Sequence, residues 1–340
     1  MDKPSTYPPP LHPGSRVAVI ATSHAPPREA LSRGIDRLES FGLDVELFET
    51  ATRDTDWLRS HPKERARDVN RAFADEAIDG VVAAMGGNRE IQIVDTIDES
   101  ILRDNPKRFY GSSDNTHLHL LLNRLGWVSF YGGQLFPDIS VDPEMHPYTH
   151  RNIERAMTRT PFGECTAASE WTDEYYDFET QASREWFPSS GWYWHNTTGK
   201  TVHGTLLGGC FEMLESQLMM SEDVFPHVLD SGDILAIETS GETPTHAEVE
   251  RFFTVLGERG TIGDLGGLLV GRPETPKGSL TKRNTYRREQ RRSIKHVCDE
   301  YAEDLPIVFD LDFGHTAPIL PLPLGSNVTV DTGERTILFE

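Results

Sequence analysis

Apolar positions along the first half of the chain alternate between two rhythms. Arg16-Val17-Ala18-Val19-Ile20-Ala21 is a short, continuously apolar, β-branched run that stops at Thr22-Ser23-His24, the pattern of a strand buried on both faces. From about Arg28 to Phe41, Leu31, Ile35 and Leu38 fall on one face of a helical repeat. Gly42 then ends the pattern, and Val45-Glu46-Leu47-Phe48 resumes strand character. The alternation continues with a charged helix from about Pro62 to Asp75, a strand from Gly80 to Met85 and a Gly86-Gly87-Asn88 corner. Next come a strand end at Arg108-Phe109-Tyr110-Gly111, a sharp Ser112-Ser113-Asp114-Asn115 corner and a helix from His117 to Leu125. Strand, tight turn and helix recurring in this order predict an α/β fold with a doubly wound parallel sheet over roughly the first 140 residues. Ligands of such sheets sit at the carboxyl ends of the strands, where both corners fall.

The pattern breaks between Glu170 and Lys200, a stretch crowded with aromatics that keeps neither period and reads as a long ordered loop. Beyond it, strands at Val202–Leu207, Asp233–Glu238, Leu265–Val270 and Ile307–Asp310 alternate with helices near Phe211–Met220, Thr245–Arg259 and Asn284–Tyr301. A terminal hairpin turns at Asp331-Thr332-Gly333-Glu334. We expect a nucleophile-bearing α/β domain over 1–150, a linker and aromatic loop over 151–200, and a C-terminal α/β domain with more antiparallel content over 201–340.

Composition narrows the function classes. The 340 residues carry 33 Lys and Arg against 54 Asp and Glu, a formal charge of −21, so a phosphate backbone would meet net repulsion and nucleic acid is not an expected partner. Cys165, Cys210 and Cys298 are too scattered for a disulfide framework and lack metal-site spacing. Neither the start, Met1-Asp2-Lys3-Pro4 followed by Pro8-Pro9-Pro10, nor any later stretch has the apolar run of a leader or membrane span. A cytoplasmic protein without membrane contact is expected.

Gly111-Ser112-Ser113-Asp114 sets a serine between a strand and a helix, where a turn can expose a hydroxyl and the helix N-terminal N–H groups can face a developing oxyanion. A plain helix cap accounts for the same residues, and Asn115 stands where the hydrolase elbow has its second glycine. Gly86-Gly87-Asn88 is either a simple turn or a backbone donor aimed at substrate. Glu238 closes the apolar strand Ile234-Leu235-Ala236-Ile237, a position from which a carboxylate can orient a histidine, and His315 follows Phe313-Gly314 in a proline-rich loop. His117 and His119 point to different faces of a helix. His146 and His150 have helical spacing but no third ligand nearby, so no metal site and no cofactor is expected. The basic run from Lys282 to Arg292 reads as a source of surface ion pairs.

Taken together these segments resemble the serine LD-carboxypeptidase family, which includes muramoyl-tetrapeptide LD-carboxypeptidases and microcin C immunity peptidases. The resemblance rests on Leu11-His12-Pro13-Gly14-Ser15-Arg16-Val17-Ala18-Val19, on the segment from Glu64 to Asp75, on Gly86-Gly87-Asn88 and on Gly111-Ser112-Ser113-Asp114-Asn115-Thr116. It continues through Gly204-Thr205-Leu206-Leu207-Gly208-Gly209-Cys210, Glu238-Thr239-Ser240-Gly241-Glu242 and Gly314-His315, in family order along nearly the whole chain. It implies an N-terminal doubly wound domain, a smaller swivelling-type C-terminal α/β domain and a homodimer. It also implies Ser113 as nucleophile, His315 as general base, Glu238 as its orienting carboxylate, and an oxyanion hole from the N–H groups of Gly87 and Asp114. The residue before the nucleophile is usually aromatic in the family and is Ser112 here.

Glu-Thr-Ser after the strand, Gly-Gly-Cys before a helix and the long aromatic insertion look more like the microcin-immunity branch. That resemblance implies a small-molecule aminoacyl- or peptidyl-nucleotide substrate, with a loop aromatic stacked on its base. Trp186, Trp192 and Trp194 are the candidates, and packing of the loop onto its own domain or a dimer partner is the alternative. A murein tetrapeptide is the second substrate reading, and a catalytically silent ligand-sequestering protein the third.

Overall fold

The computed structural model describes residues 6–340 except 142, 179, 181, 198, 221–224 and 226, so the opening Met1-Asp2-Lys3-Pro4 lies outside the described residues. The first lobe runs β1 (Arg16–Ile20), α1 (Arg28–Ser40), β2 (Asp44–Leu47), α2 (Thr55–Ser60), α3 (Pro62–Ala74) and β3 (Gly80–Ala83). It continues through α4 (Glu99–Asp104), β4 (Arg108–Gly111), α5 (Thr116–Arg124) and β5 (Ser129–Tyr131). β1 to β5 are parallel; β1 and β3 are the buried apolar runs, while β2, Asp44-Val45-Glu46-Leu47, is a partly exposed edge strand. α1 buries Ala30, Gly34 and Leu38, one step around from the Leu31–Ile35 stripe. The reason is steric: a Cβ on Gly34 would stand 2.4 Å from Leu135 Cγ, so the helix presents its smallest residue to that side chain. Gly42, at φ +83°, ends the helix in a conformation that only glycine adopts without strain.

The second lobe begins with α6 (Pro147–Thr158), β6 (Gly163–Cys165), β7 (Glu170–Trp171), β8 (Phe187–Pro188), β9 (Tyr193–His195), β10 (Thr201–Cys210) and α7 (Phe211–Met220). It is completed by β11 (Ile234–Glu238), α8 (His246–Glu258), α9 (Thr261–Asp264), β12 (Gly267–Gly271), α10 (Leu280–Tyr301), β13 (Ile307–Leu311), β14 (Leu322–Leu324), β15 (Asn327–Asp331) and β16 (Thr336–Phe339). Its eight-stranded sheet has the order β6-β16-β15-β10-β11-β12-β13-β9, with a parallel centre from β10 to β13 and antiparallel flanks. α8 carries a reciprocal capping box between Thr245 and Glu248.

β14 does not stay in this sheet. It crosses back and pairs antiparallel with β5, giving the first sheet the order β14-β5-β4-β3-β1-β2. A single buried apolar cluster accordingly runs through both lobes, joining Phe130 and Tyr131 to Phe313, Leu322 and Ile337. A second tie lies nearby, where the Thr116 hydroxyl at the head of α5 accepts a hydrogen bond from the Cys210 amide at 3.0 Å.

The aromatic insertion is pinned to the second lobe. β7 pairs with β8, and β9 adds to the edge at β13. The basic face of α10 makes the clamp: Arg283 and Arg287 both pair with the buried Asp173, while Trp171 lies 3.9 Å from the Arg287 guanidinium and 5.2 Å from that of Arg272. These arginines were expected to form surface pairs. The insertion folds over them instead and converts the run into a half-buried clamp.

Candidate active site

Ser113 lies one residue beyond β4, after Ser112, and takes φ +60°, a strained angle for a side-chain-bearing residue, before Asp114 and Asn115 lead into α5. The turn leaves Ser113 partly open, whereas Ser112 is extended and only 4% exposed. The Gly86-Gly87-Asn88 loop presses against this elbow, and a Cβ on Gly86 would lie 2.9 Å from that of Ser113. Gly87 has φ +148°, and a Cβ there would lie 2.3 Å from Ser23 Oγ. Ser23, which no sequence motif singled out, accepts hydrogen bonds from the Asn88 and Arg89 amides at 3.1 and 3.0 Å. The Asp114 carboxylate accepts from the amides of Arg89 and Glu90 at 2.7 and 2.9 Å. Gly87 and Asp114 are thus tethered to one another through the backbone that follows the glycine pair. Burial, reinforced by the Asp114 charge, holds the Glu90 carboxyl well above the usual carboxylate range.

Glu238, at the carboxyl end of β11, is 1% exposed and has both oxygens engaged. Oε2 accepts from His315 Nδ1 at 2.8 Å, and Oε1 accepts from the Tyr131 hydroxyl at 2.5 Å. Tyr131 Oη in turn accepts from the Ser113 amide at 2.9 Å, so one phenol separates the serine elbow of the first lobe from the Glu238–His315 pair of the second. Burial alone would lower the His315 pKa. The Glu238 charge and hydrogen bond outweigh it, Glu274 and Glu212 add to them, and the ring is pushed up to about 9. Asp138 lies on the same cleft wall, and burial pushes its carboxyl up to about 7 against the opposing pull of the Gly133 amide and of His315.

The cleft over His315 is bounded by Asp138, His146, Glu174, Tyr175, Arg184 and Thr316. None of the three tryptophans forms its wall. Trp192 donates Nε1–H to Asp312 at 2.9 Å, and Trp194 lies in β9 against Val308. Trp186 comes nearest, stacking on the cleft residue His146 with centroids 4.7 Å apart under the Arg184 guanidinium. Tyr175 and Tyr176 do line the cleft, Tyr176 buried and Tyr175 open. Tyr175 is 59% exposed along the chain's most irregular stretch, with its hydroxyl donated to Glu274 at 2.8 Å. Only the aromatic crowding of the insertion signalled it in the sequence, without a period to rank one ring above another.

Three further histidines singled out in the sequence make packing or hydrogen-bond contacts away from the cleft wall. His119 bonds the Gly111 carbonyl and the Ser129 hydroxyl, His117 bonds Gln217, and His150 packs on Phe41. Among the described residues no group of three or more His, Cys, Asp or Glu side chains is arranged to hold a metal ion, and no helix is long and apolar enough to cross a membrane.

A serine on a strained strand-to-helix elbow in one α/β lobe, linked through its amide and the Tyr131 hydroxyl to a buried carboxylate–imidazole pair in the other, brings together the residue types that serine hydrolases use. Residues 17–132 match the LD-carboxypeptidase N-terminal domain and residues 203–330 the LD-carboxypeptidase C-terminal domain, so the chain belongs to the LD-carboxypeptidase family and is a serine carboxypeptidase. It is similar to a probable murein peptide carboxypeptidase of Bacillus subtilis, with 28% identity covering 97% of this chain and 93% of the relative. It is similar also to the microcin C7 self-immunity protein MccF of Escherichia coli, with 26% identity covering 90% and 86%. Among solved structures, the MccF-like protein from Streptococcus pneumoniae, in complex with AMP, superposes with a TM-score of 0.84. It is 26% identical and covers 96% of this chain and 99% of its own.

Proposed function

We propose that this carboxypeptidase hydrolyses the amide-type bond joining an aminoacyl or peptidyl group to a nucleotide-like leaving group, with Ser113, His315 and Glu238 as its triad. Neutral His315 takes the Ser113 hydroxyl proton as Oγ attacks the carbonyl carbon, while Glu238 fixes the ring through Nδ1–H. The Gly87 and Asp114 amides receive the tetrahedral oxyanion. Collapse breaks the amide-type bond, and the imidazolium returns its proton to the departing nitrogen. A water then attacks the acyl-serine, giving its proton to His315, and the second collapse restores the Ser113 hydroxyl and frees the acid. No cofactor takes part in these steps.

The observation that carries the reaction is the chain of hydrogen bonds Ser113–Tyr131–Glu238–His315. The nucleotide half of the reading draws on the exposed Tyr175 ring beside His315 and on the AMP held by the S. pneumoniae relative. The cleft favours that reading over a murein tetrapeptide, because the Glu174 carboxylate on its wall opposes the free carboxylate at the cleaved end of a murein peptide. Arg184 on the same wall and the B. subtilis relative support the murein alternative. Such a catalyst would serve self-immunity or detoxification, as a cytoplasmic homodimer.

Parallel assays with an aminoacyl-sulfamoyl adenosine and a murein tetrapeptide decide between the substrates. The nucleoside compound should turn over with the higher kcat/KM, and preferential release of D-alanine from the tetrapeptide would reverse the assignment. Ser113→Ala should bind the nucleoside compound without cleaving it, whereas Ser112→Ala should remain active. Full turnover by Ser113→Ala would remove the triad reading altogether.

A further inference from the structure

We propose that Tyr131 is a positioning residue that sets the nucleophile's backbone and the triad carboxylate at once, through a single hydroxyl shared across the two lobes. The inference rests on the triad reading given above. Tyr131 ends β5, paired on one side with Gly111, two residues before Ser113, and on the other with Leu322 of β14, seven residues beyond His315. It is 1% exposed. Its ring is wedged by Phe313, edge-on at 6.1 Å, and by His119 at 5.5 Å, so the hydroxyl has little freedom to leave its two partners.

Both partners need it. A buried carboxylate that orients a histidine through one oxygen still has a second oxygen to satisfy, and leaving it bare carries the desolvation cost of an unpaired buried charge. Tyr131 donates to that oxygen, so the His315 bond to Oε2 is the only one left for the ring to make. On the other side, the Ser113 amide would be an orphan donor in a strained turn, and it donates to the same hydroxyl at 2.9 Å. With that amide occupied, the donors open to an oxyanion are the neighbouring ones at Gly87 and Asp114. Burial first, and then the adjacent Glu238 charge, hold the phenol well above its ordinary value, so it remains a donor throughout the working pH range.

The charged and titratable neighbours are few. Tyr131 faces Glu238 and Cys210, while His315 faces Glu238, Glu274, Glu212 and Asp138. Removing the phenolic donor makes Glu238 a stronger acceptor for the His315 proton, so the base becomes harder to free.

The test uses Tyr131→Phe, which keeps the ring and deletes only the hydroxyl, with rates normalised to active sites titrated by a fluorophosphonate probe. The expected loss is about 10- to 100-fold in kcat, the usual range when a supporting hydrogen bond to a reacting group is deleted, with KM within about twofold. The rising limb of kcat against pH should move to higher pH. Tyr131→Phe and Glu238→Gln should be strongly non-additive, since both act through the same contact. Normal kcat per titrated site with an unmoved limb would overturn the proposal even if the variant were less stable. Should Tyr131→Phe fail to fold, 3-fluorotyrosine at this position supplies a more acidic phenol. It should shift the limb to lower pH, and an unmoved limb there also overturns the proposal. Ser113→Ala separates the two levels: an inactive Ser113→Ala beside an unimpaired Tyr131→Phe defeats this inference alone, and an active Ser113→Ala defeats the triad.

Discussion

Gly314 stands so close to Glu238 that a Cβ on it would lie 2.4 Å from Oε2, the oxygen that accepts from His315. Gly314 also has φ +99°, so the chain needs glycine here for backbone conformation as well as for room. Gly314→Ala should therefore displace either the carboxylate or the following histidine. We expect kcat to fall by about 10- to 100-fold with substrate affinity largely retained. Steady-state kinetics beside a binding isotherm checks this, and near-normal kcat would show that the pair tolerates displacement.

The His315 pKa, pushed up to about 9, fixes the direction of the pH dependence. A base must be deprotonated to act, so kcat/KM should climb from neutral pH and level off above about 9. Glu274 is among the charges that raise the ring, so Glu274→Gln should move this limb to lower pH. The folded state binds the His315 proton more tightly than the unfolded chain does. Its contribution to stability is therefore whole below the ordinary imidazole value and is lost as pH rises through about 9. Rate profiles and denaturant melts from pH 6 to 10 test both statements, and a flat rate profile would contradict them.

Tyr175 offers the exposed ring on the cleft wall. If a nucleobase stacks there, Tyr175→Ala should raise KM for an aminoacyl-sulfamoyl adenosine by about 5- to 150-fold, the equivalent of about 1–3 kcal/mol per stacked base. Hydrolysis of a murein tetrapeptide should change much less. Equal losses on both substrates would mean that the ring serves the cleft's shape and not a base.

Asp173 is 1% exposed between Arg283 and Arg287, each 13% exposed. Asp173→Ala would leave two guanidiniums half-buried and without their carboxylate, a change that costs about 3–5 kcal/mol for pairs of this kind. The melting temperature should drop, and proteolysis should begin in the aromatic insertion, which Trp171 and Phe187 hold against the same arginines. An unchanged melting temperature would show that the insertion is held by other contacts.

Much of the first lobe was legible because β1 and β3 are continuous apolar runs and α1 carries a 3.6-residue repeat, whereas the six-residue α2 and α4 are too short to show one. Glu238 and His315 meet at 2.8 Å although 77 residues separate them, and strand-end position plus the family motifs had marked both. β14 was not legible. Three residues, one of them Pro323, carry no measurable period, and the stretch from Pro318 to Gly325 reads as a loop until β5 is beside it. Tyr131 was hidden for a related reason, since at the end of an apolar strand its ring looks like core and only the third dimension shows where its hydroxyl goes. In the insertion, ring identity gave no ranking, and the tryptophans went largely into packing while a tyrosine took the open wall.

The return of β14 to the first sheet has a mechanical meaning. A segment that leaves the histidine loop and immediately zips onto the neighbouring lobe acts as a stitch, and two bodies stitched beside their shared mouth cannot gape without tearing a row of backbone bonds.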